Sequence, residues 1–404
     1  MKNTEKILPI ILGTDENSYT IARSFHTAFG EKVVVCGAGI LLPFYKSKIA
    51  DIYTAEHFSS DGRIFSDLLN SVYEKYREKA EKFMLFGPTE EYLKLLYTNL
   101  ENLNFTPLLP YPEKELGIAL MDKNYFYGRM EECGVEIPRT RVASAENYRD
   151  VLWEAKLFIK AADYELFNSY DFPQKHKGFL AENAQEAQDY LAAVYSSGFS
   201  GEMLVQTYIA GSNRQEYSVN GYRRQDGEYV FVQARSILTD QRPMWVGNHL
   251  LLTDSYRRDL YPLCQRALES LGYYGFFNFD FKVDSHTDKP YMLELNTRLG
   301  RSFYYANLNG VNFIEQAMCD FQGAAIAPIE RRPFNWITAT RSAVEKMLSG
   351  EDLAYFRTPD RYANTGNALD YQVDSNPLRT ARIAGHRKKL GEILPAAAQA
   401  YTGM

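Results

Sequence analysis

Cysteine is scarce in this chain, four in 404 residues, and histidine numbers only six. Cys36, Cys133, Cys264 and Cys319 lie far apart, with no Cys-x-x-Cys pair and no Cys/His spacing of the zinc-binding kind. Neither a disulfide framework nor a structural zinc module is therefore expected. Long hydrophobic runs are lacking too, since nothing approaches the ~18 consecutive apolar residues of a membrane span. The apolar opening "ILPIIL" covers only 7–12, and "TDENS" soon follows it where a signal peptide would have small cleavage-site residues. It reads as a first β-strand, and the expectation is a soluble, cytoplasmic protein with reduced cysteines. A surplus of positive charge is missing as well. A net charge of −6 and a pI near 5.7 argue against a general nucleic-acid binder, which needs a concentrated basic surface. There is no internal repeat and no low-complexity tract.

What is present is strand–helix alternation. β-like runs at 7–12, 32–36 and 82–86 alternate with helix-length segments at 19–29 and 62–79, which predicts an open parallel α/β layer over 1–112. Ligands of such sheets gather at the carboxyl ends of the strands, so "GTDENSY", with Asp15, is either a substrate loop or an ordinary βα connection with a capping residue. "CGAGILL" has Gly-x-Gly but lacks the third glycine and does not follow the first strand, a weak dinucleotide signal. The prolines of "LLPYPEKE" mark a boundary. Beyond it come a helix over 123–133 closed by Gly134, a helix near 145–155, a strand at 157–161 and a helix near 184–196. The charged, glycine-poor stretch "DYELFNSYDFPQKHKG" at 163–178 suits a mobile lid. Further strands are expected within 202–213, 215–224 and 228–238, then a helix at 260–271 and two paired strands at 274–284 and 289–299. The tail ends in a basic cluster, "RTARIAGHRKKL", read as a solvated helix.

The second of those paired strands reads "YMLELNTRLGRS". A period of two puts Leu293 and Leu295 on one face and Glu294, Asn296 and Arg298 on the other. In the preceding strand Asn278, Asp280 and Lys282 alternate with Phe277, Phe279 and Phe281. Antiparallel pairing with the apolar faces inward would carry Asp280 onto the surface that holds Glu294 and Asn296. Two carboxylates and a carboxamide suit Mg²⁺ shared with nucleotide phosphates; solvent-exposed ion pairs are the alternative reading. Lys160 ends an apolar strand and Lys123 starts a helix, where the dipole disfavours a cation, so each is either a phosphate ligand or a solvated lysine. "VQTYIAG" offers an extended backbone to an adenine edge.

The order Lys123, Lys160, "VQTYIAGSN", "NFDFK", "ELNTR" resembles the ATP-grasp superfamily of carboxylate–amine ligases. "PIILGTDENSYTIARSF", "MDKNYFYGRMEECGVEIPRT" and "NTRLGRSFYYANLNGVN" look like the D-aspartate ligase group, which builds peptidoglycan cross-bridges. The resemblance implies an α/β chain of the ATP-grasp fold, α+β in its ATP-binding part. A Rossmann-like N-terminal domain (1–112) would precede a small lid subdomain (113–204), a mixed-sheet catalytic subdomain (205–324) and a C-terminal extension (325–404). It further implies Asp280, Glu294 and Asn296 as ligands of one or two Mg²⁺ ions, with Mn²⁺ as a substitute. Lys123, Lys160 and the lid's Lys177 would meet the ATP phosphates, and Gln206, Thr207, Tyr208 and Ile209 the adenine. Asn213 stands where the family commonly has an acidic ribose ligand. Arg298 would be catalytic, with Arg301, Ser302 and Asp15 on the substrate. The implied reaction is ATP-driven amide formation through an acyl phosphate. In its narrowest form it joins the β-carboxylate of D-aspartate to the side-chain amine of a stem lysine in a nucleotide-linked cell-wall precursor. A ligase for another acid and amine, and a non-catalytic nucleotide-binding protein, are the alternatives. A homodimer is expected by the same resemblance.

Overall fold

The computed structural model describes residues 6–242, 244–326 and 328–401, with side chains described as far as Leu394. Its first sheet is parallel, in the order β3-β2-β1-β4, from β1 (Ile7–Leu12), β2 (Val33–Gly37), β3 (Ala50–Thr54) and β4 (Lys82–Phe86). Its strands are apolar on both faces, as crossover helices require: Ile7, Ile11, Val33 and Val35 enter one core and Ile10, Leu12, Val34 and Cys36 another. The helices are α1 (Glu16–Phe29), α2 (Gly62–Tyr76) and α3 (Glu90–Asn99), with N-caps Asp15, Asp61 and Thr89. The strand at Ala50–Thr54 was not anticipated. It is a half-buried edge strand, and its short mixed run carries no periodic signal.

After α4 (Lys114–Ala119) and α5 (Lys123–Glu132) comes an antiparallel sheet in the order β5-β8-β6-β7. It consists of β5 (Thr140–Ala143), β6 (Leu157–Ala161), β7 (Gly178–Ala181) and β8 (Met203–Thr207), backed by α7 (Ala184–Ser196). Between β6 and β7 the chain makes the short helix α6 (Tyr164–Asn168) and a loop. The helix expected near 145–155 is absent, because residues 145–150 are turns. The Asn147 side chain accepts from Ser144 N (2.7 Å) and donates to Val142 O (3.4 Å), so local side-chain bonds outcompete helix propagation. Trp153 then lies between the guanidinium groups of Arg139 and Arg141.

The largest sheet has seven strands in the order β13-β12-β9-β10-β11-β14-β15. These are β9 (Glu216–Arg223), β10 (Tyr229–Thr239), β11 (His249–Asp254), β12 (Gly275–Val283), β13 (Pro290–Asn296), β14 (Asn335–Ile337) and β15 (Thr365–Gly366). Phe277, Phe279 and Phe281 bury one face in a core shared with α5 and α8 (Leu260–Ser270). On the other face Tyr305, in α9 (Tyr304–Leu308), stands over the strands. Its hydroxyl accepts from Asn220 N (3.0 Å) and Asn220 Nδ2 (2.9 Å) and lies 2.9 Å from Ser218 O.

Beyond α10 (Phe313–Gln322) the tail thus adds two strands to this sheet. Three short helices, α11 (Arg341–Met347), α12 (Gly350–Phe356) and α13 (Pro359–Ala363), lead to α14 (Pro377–Tyr401), which returns to the N-terminal domain. The basic stretch is not wholly solvated. Arg379 is 2% exposed, packs over the Tyr19 ring, donates to Pro43 O (2.9 Å) and Asp374 O (3.1 Å), and pairs with the buried Asp374 carboxylate at 3.5 Å. Removing one partner of such a buried pair strands the other charge. Arg379→Leu is accordingly expected to lower unfolding free energy by about 3–5 kcal/mol, while Arg382→Ala on the exposed face changes it by less than about 1 kcal/mol. Urea denaturation of the two variants checks this; equal effects would refute it.

Candidate functional site

The second and third sheets, with the start of α3, line a cleft of about 1020 Å³. Its floor is the β12–β13 pair, where the register sets Asn278 opposite Asn296 and Asp280 opposite Glu294. The register then skips to Phe281 opposite Met292, leaving Leu293 as a bulge. Met292 and Leu295 therefore enter the core, and Leu293 lines the cleft beside Glu294, contrary to the strict alternation expected of it.

A chain of amide bonds orients the floor. Asn278 Nδ2 donates to Ser218 Oγ (2.8 Å), and Asn296 Nδ2 donates to Asn278 Oδ1 (2.9 Å). The Asn296 oxygen is left as an acceptor, 3.2 Å from an Arg298 guanidinium nitrogen. Arg298 also donates to Leu299 O (3.2 Å), and its Nε is buried without a partner among the described residues.

The two facing carboxylates titrate in opposite directions. Burial and the neighbouring Glu294 charge push Asp280 up to about 6. Burial acts upward on Glu294 also, but the Lys123, Lys160, Arg298 and Lys177 charges bring it down to about 2. Lys123 Nζ lies 3.7 Å from Glu294 Oε1. Desolvation lowers Lys160 and Lys177, against the pull of Glu294 and Asp280. Two carboxylates and one fixed amide oxygen, with cations arrayed around them, are a donor set that fits a hard divalent ion bound together with phosphate oxygens.

At the other end of the cleft Gln206 Nε2 bonds Tyr127 OH and Thr140 Oγ1, both at 2.9 Å. The amides of Thr207 and Tyr208 are consumed by Arg139 O and Lys156 O. The amide of Ile209 has no partner among the described residues, which leaves it open to a ligand edge. Phe158, Leu180 and Leu293 supply apolar walls there. Phe158 and Leu180 had not been singled out, although Phe158 lies two residues from Lys160 and so on the same strand face. Asn213 opens a turn capped by Ser212, and the nearby Glu216 lines the cleft with its carboxylate on Lys282 (2.8 Å).

Lys123, Lys160, Lys177, Gln206, Thr207, Tyr208, Ile209, Asn213, Asp280, Glu294, Asn296, Arg298, Arg301 and Ser302 all line this one cleft. Asp15 stands apart: its Oδ1 accepts from Ser18 N (2.9 Å) and Ser18 Oγ (2.8 Å), the capping geometry of α1. Of the two acids there, Glu16 acts more strongly on Arg301 than Asp15 does. The loop carrying Lys177 touches the β10–β11 connection, with Lys177 Nζ 3.5 Å from Asn248 Oδ1.

His249 lies under that contact, 3.1 Å from Ser236 Oγ. Burial lowers it to about 4 against the upward pull of the Glu216 carboxylate, with the Arg301 and Lys177 charges adding to the lowering. The unfolded chain thus takes up a proton between the ordinary value of about 6.5 and about 4 that the fold refuses. The stability held by neutral His249 is full above about pH 6.5 and is lost as pH falls toward about 4. His249→Asn should flatten that slope in urea midpoints taken from about pH 7 to about pH 4.5, and an unchanged slope would refute it.

Comparison with known proteins places this geometry. Residues 199–340 match the family "ATP-grasp in the biosynthetic pathway with Ter operon". D-aspartate ligase of Enterococcus faecium (strain Aus0004) is 29% identical over 315 residues, spanning 76% of this chain and 75% of that one. N5-carboxyaminoimidazole synthetase from Staphylococcus aureus in complex with ADP superposes with a TM-score of 0.59 at 15% identity, over 81% of this chain and 80% of that one. L-amino acid ligase from Bacillus licheniformis does so at 0.57 and 13%, over 79% and 74%. The fold is ATP-grasp: a parallel α/β sheet followed by antiparallel and mixed sheets.

Proposed function

We propose that this chain, an ATP-dependent carboxylate–amine ligase of the ATP-grasp fold, activates the β-carboxylate of D-aspartate and joins it to the side-chain amine of a stem lysine in a peptidoglycan precursor. The observation that carries the substrate is the relation to D-aspartate ligase across three quarters of both chains.

A carboxylate oxygen attacks the γ-phosphorus of ATP. The bond from that phosphorus to the β–γ bridging oxygen breaks with its electron pair on ADP, leaving an acyl phosphate. The amine then attacks the acyl carbon, inorganic phosphate departs, and the nitrogen loses a proton to leave the amide. Neither step needs a covalent enzyme nucleophile, so the work of the protein is positioning and charge stabilisation. Asp280, Glu294 and Asn296 Oδ1 would hold Mg²⁺, which supplies neutralisation of phosphate charge. Lys123, Lys160 and Lys177 surround the phosphates, and the Ile209 amide and its apolar neighbours receive the adenine. The Arg298 fork lies between the metal floor and the reacting carboxyl group. Arg301 and Ser302 are placed for the carboxylate that is not activated, a group a dicarboxylic amino acid has to spare. The Lys177–Asn248 contact brings two loops together over the phosphates and shields the acyl phosphate from water. A cytoplasmic reaction agrees with the use of ATP and with four unpaired cysteines.

A second reading keeps the chemistry and changes the partners, to another amino acid or carboxylate joined to an amine in a dipeptide or secondary metabolite. The match of residues 199–340 to a biosynthetic Ter-operon family favours it. A phosphate-release screen of D- and L-amino acids against lysine peptides and small amines, with Mg-ATP, separates the two. Release that requires D-aspartate and a lysine peptide supports the first reading, and release with other pairs only overturns it for the second.

A further inference from the structure

Of the acids that line the cleft, one stands without a partner among the described residues. Glu90 is the first residue of α3, at the carboxyl end of β4, and lines the cleft. Its charged neighbours are Arg298, Glu294, Lys123 and Glu91, yet it has no hydrogen-bond or ion-pair partner among the described residues. Glu294 has Lys123, and Glu91 shares a hydrogen bond with Glu165. A first-turn acid is commonly explained by the helix dipole. Here the exposed Glu91 serves that end, and Thr89 caps it through Tyr92 N (3.4 Å), so α3 gains little from sinking a second carboxylate into a cleft. Glu90 is half-buried, and a partly desolvated carboxylate without a partner is stabilised when a cationic ligand arrives.

We infer that Glu90 binds a primary ammonium group of a substrate beside the reacting carboxyl group. Two substrates of the ligase carry one: the α-ammonium of the amino acid being activated, and the amine of the acceptor before it reacts. The inference rests on the ligase reading. Glu90, at the start of α3, and Arg298, just beyond β13, line the same cleft within reach of each other's charge, so a substrate held there can present its carboxylate to Arg298 and its ammonium to Glu90.

The test compares wild type with Glu90→Gln, which keeps size and removes charge, and Glu90→Asp, which keeps charge one methylene back. With hydroxylamine as a neutral nucleophile, hydroxamate formation reads acid activation alone; with a lysine peptide, phosphate release reads both substrates. A KM for D-aspartate raised by about 10- to 100-fold in the hydroxamate assay assigns Glu90 to the donor, and succinate, which lacks the ammonium, then shows no such change. An unchanged D-aspartate KM with a lysine-peptide KM raised by the same factor assigns it to the acceptor. In either case KM for ATP stays within about twofold and Glu90→Asp regains part of the loss. If Glu90→Gln leaves both KM values within about threefold of wild type, the inference is overturned and the ligase reading stands. A wild-type enzyme that turns over no acid and amine pair overturns both.

Discussion

Arg298→Ala is expected to lower turnover by about 10²- to 10³-fold while leaving nucleotide binding in place. The guanidinium sits at the end of a directed chain, Ser218 to Asn278 to Asn296, that fixes its partner oxygen at 3.2 Å. Its Nε is buried and unpartnered among the described residues, so one donor remains for charge that appears only during the reaction. The proposed adenine and phosphate contacts come from other residues, and a thermal shift with ADP should persist in the variant. Steady-state phosphate release checks the first part. A loss below about fivefold would remove Arg298 from the chemistry, and loss of the ADP shift would make it a binding residue instead.

The second large effect is expected at Glu294. Its carboxylate faces Asp280 across the strand pair and is held ionised by Lys123, Lys160, Arg298 and Lys177. Glu294→Gln removes the charge of a proposed Mg²⁺ ligand and should reduce Mg-ATP turnover by about 10²-fold or more. It also frees Lys123 and Lys160 from their anionic neighbour. Binding of ADP in the presence of EDTA should therefore tighten in the variant, opposite in sign to the loss of turnover. Calorimetric titration with and without Mg²⁺ measures both, and weaker ADP binding in EDTA would contradict the placement of the lysines around this carboxylate.

How far the site could be read in advance differs by residue. Asp280, Glu294 and Asn296 share a surface because alternate residues of a strand share a face, and a strict period survives in the letters. Leu293 broke the rule at a bulge, which depends on how two strands meet and leaves no mark in either one alone. The acids of "GTDENSY" looked equivalent, and only coordinates separate Asp15, spent on capping, from Glu16, which acts more strongly on Arg301. Glu90 offered no more than an acid at a helix start. Arg379 lay in a stretch whose uniform positive charge suggested water on all sides, and it is among the most buried side chains in the molecule.

By itself the sequence determined three strands and the helices between them in the first domain and the polar row on the cleft floor, since these depend on residue type and local period. Tertiary structure alone decided which acids have partners, which arginine is buried and where the tail returns. Those outcomes are set by contacts between residues such as Tyr19 and Asp374, far apart in the chain, and a periodic pattern carries no information about distant partners.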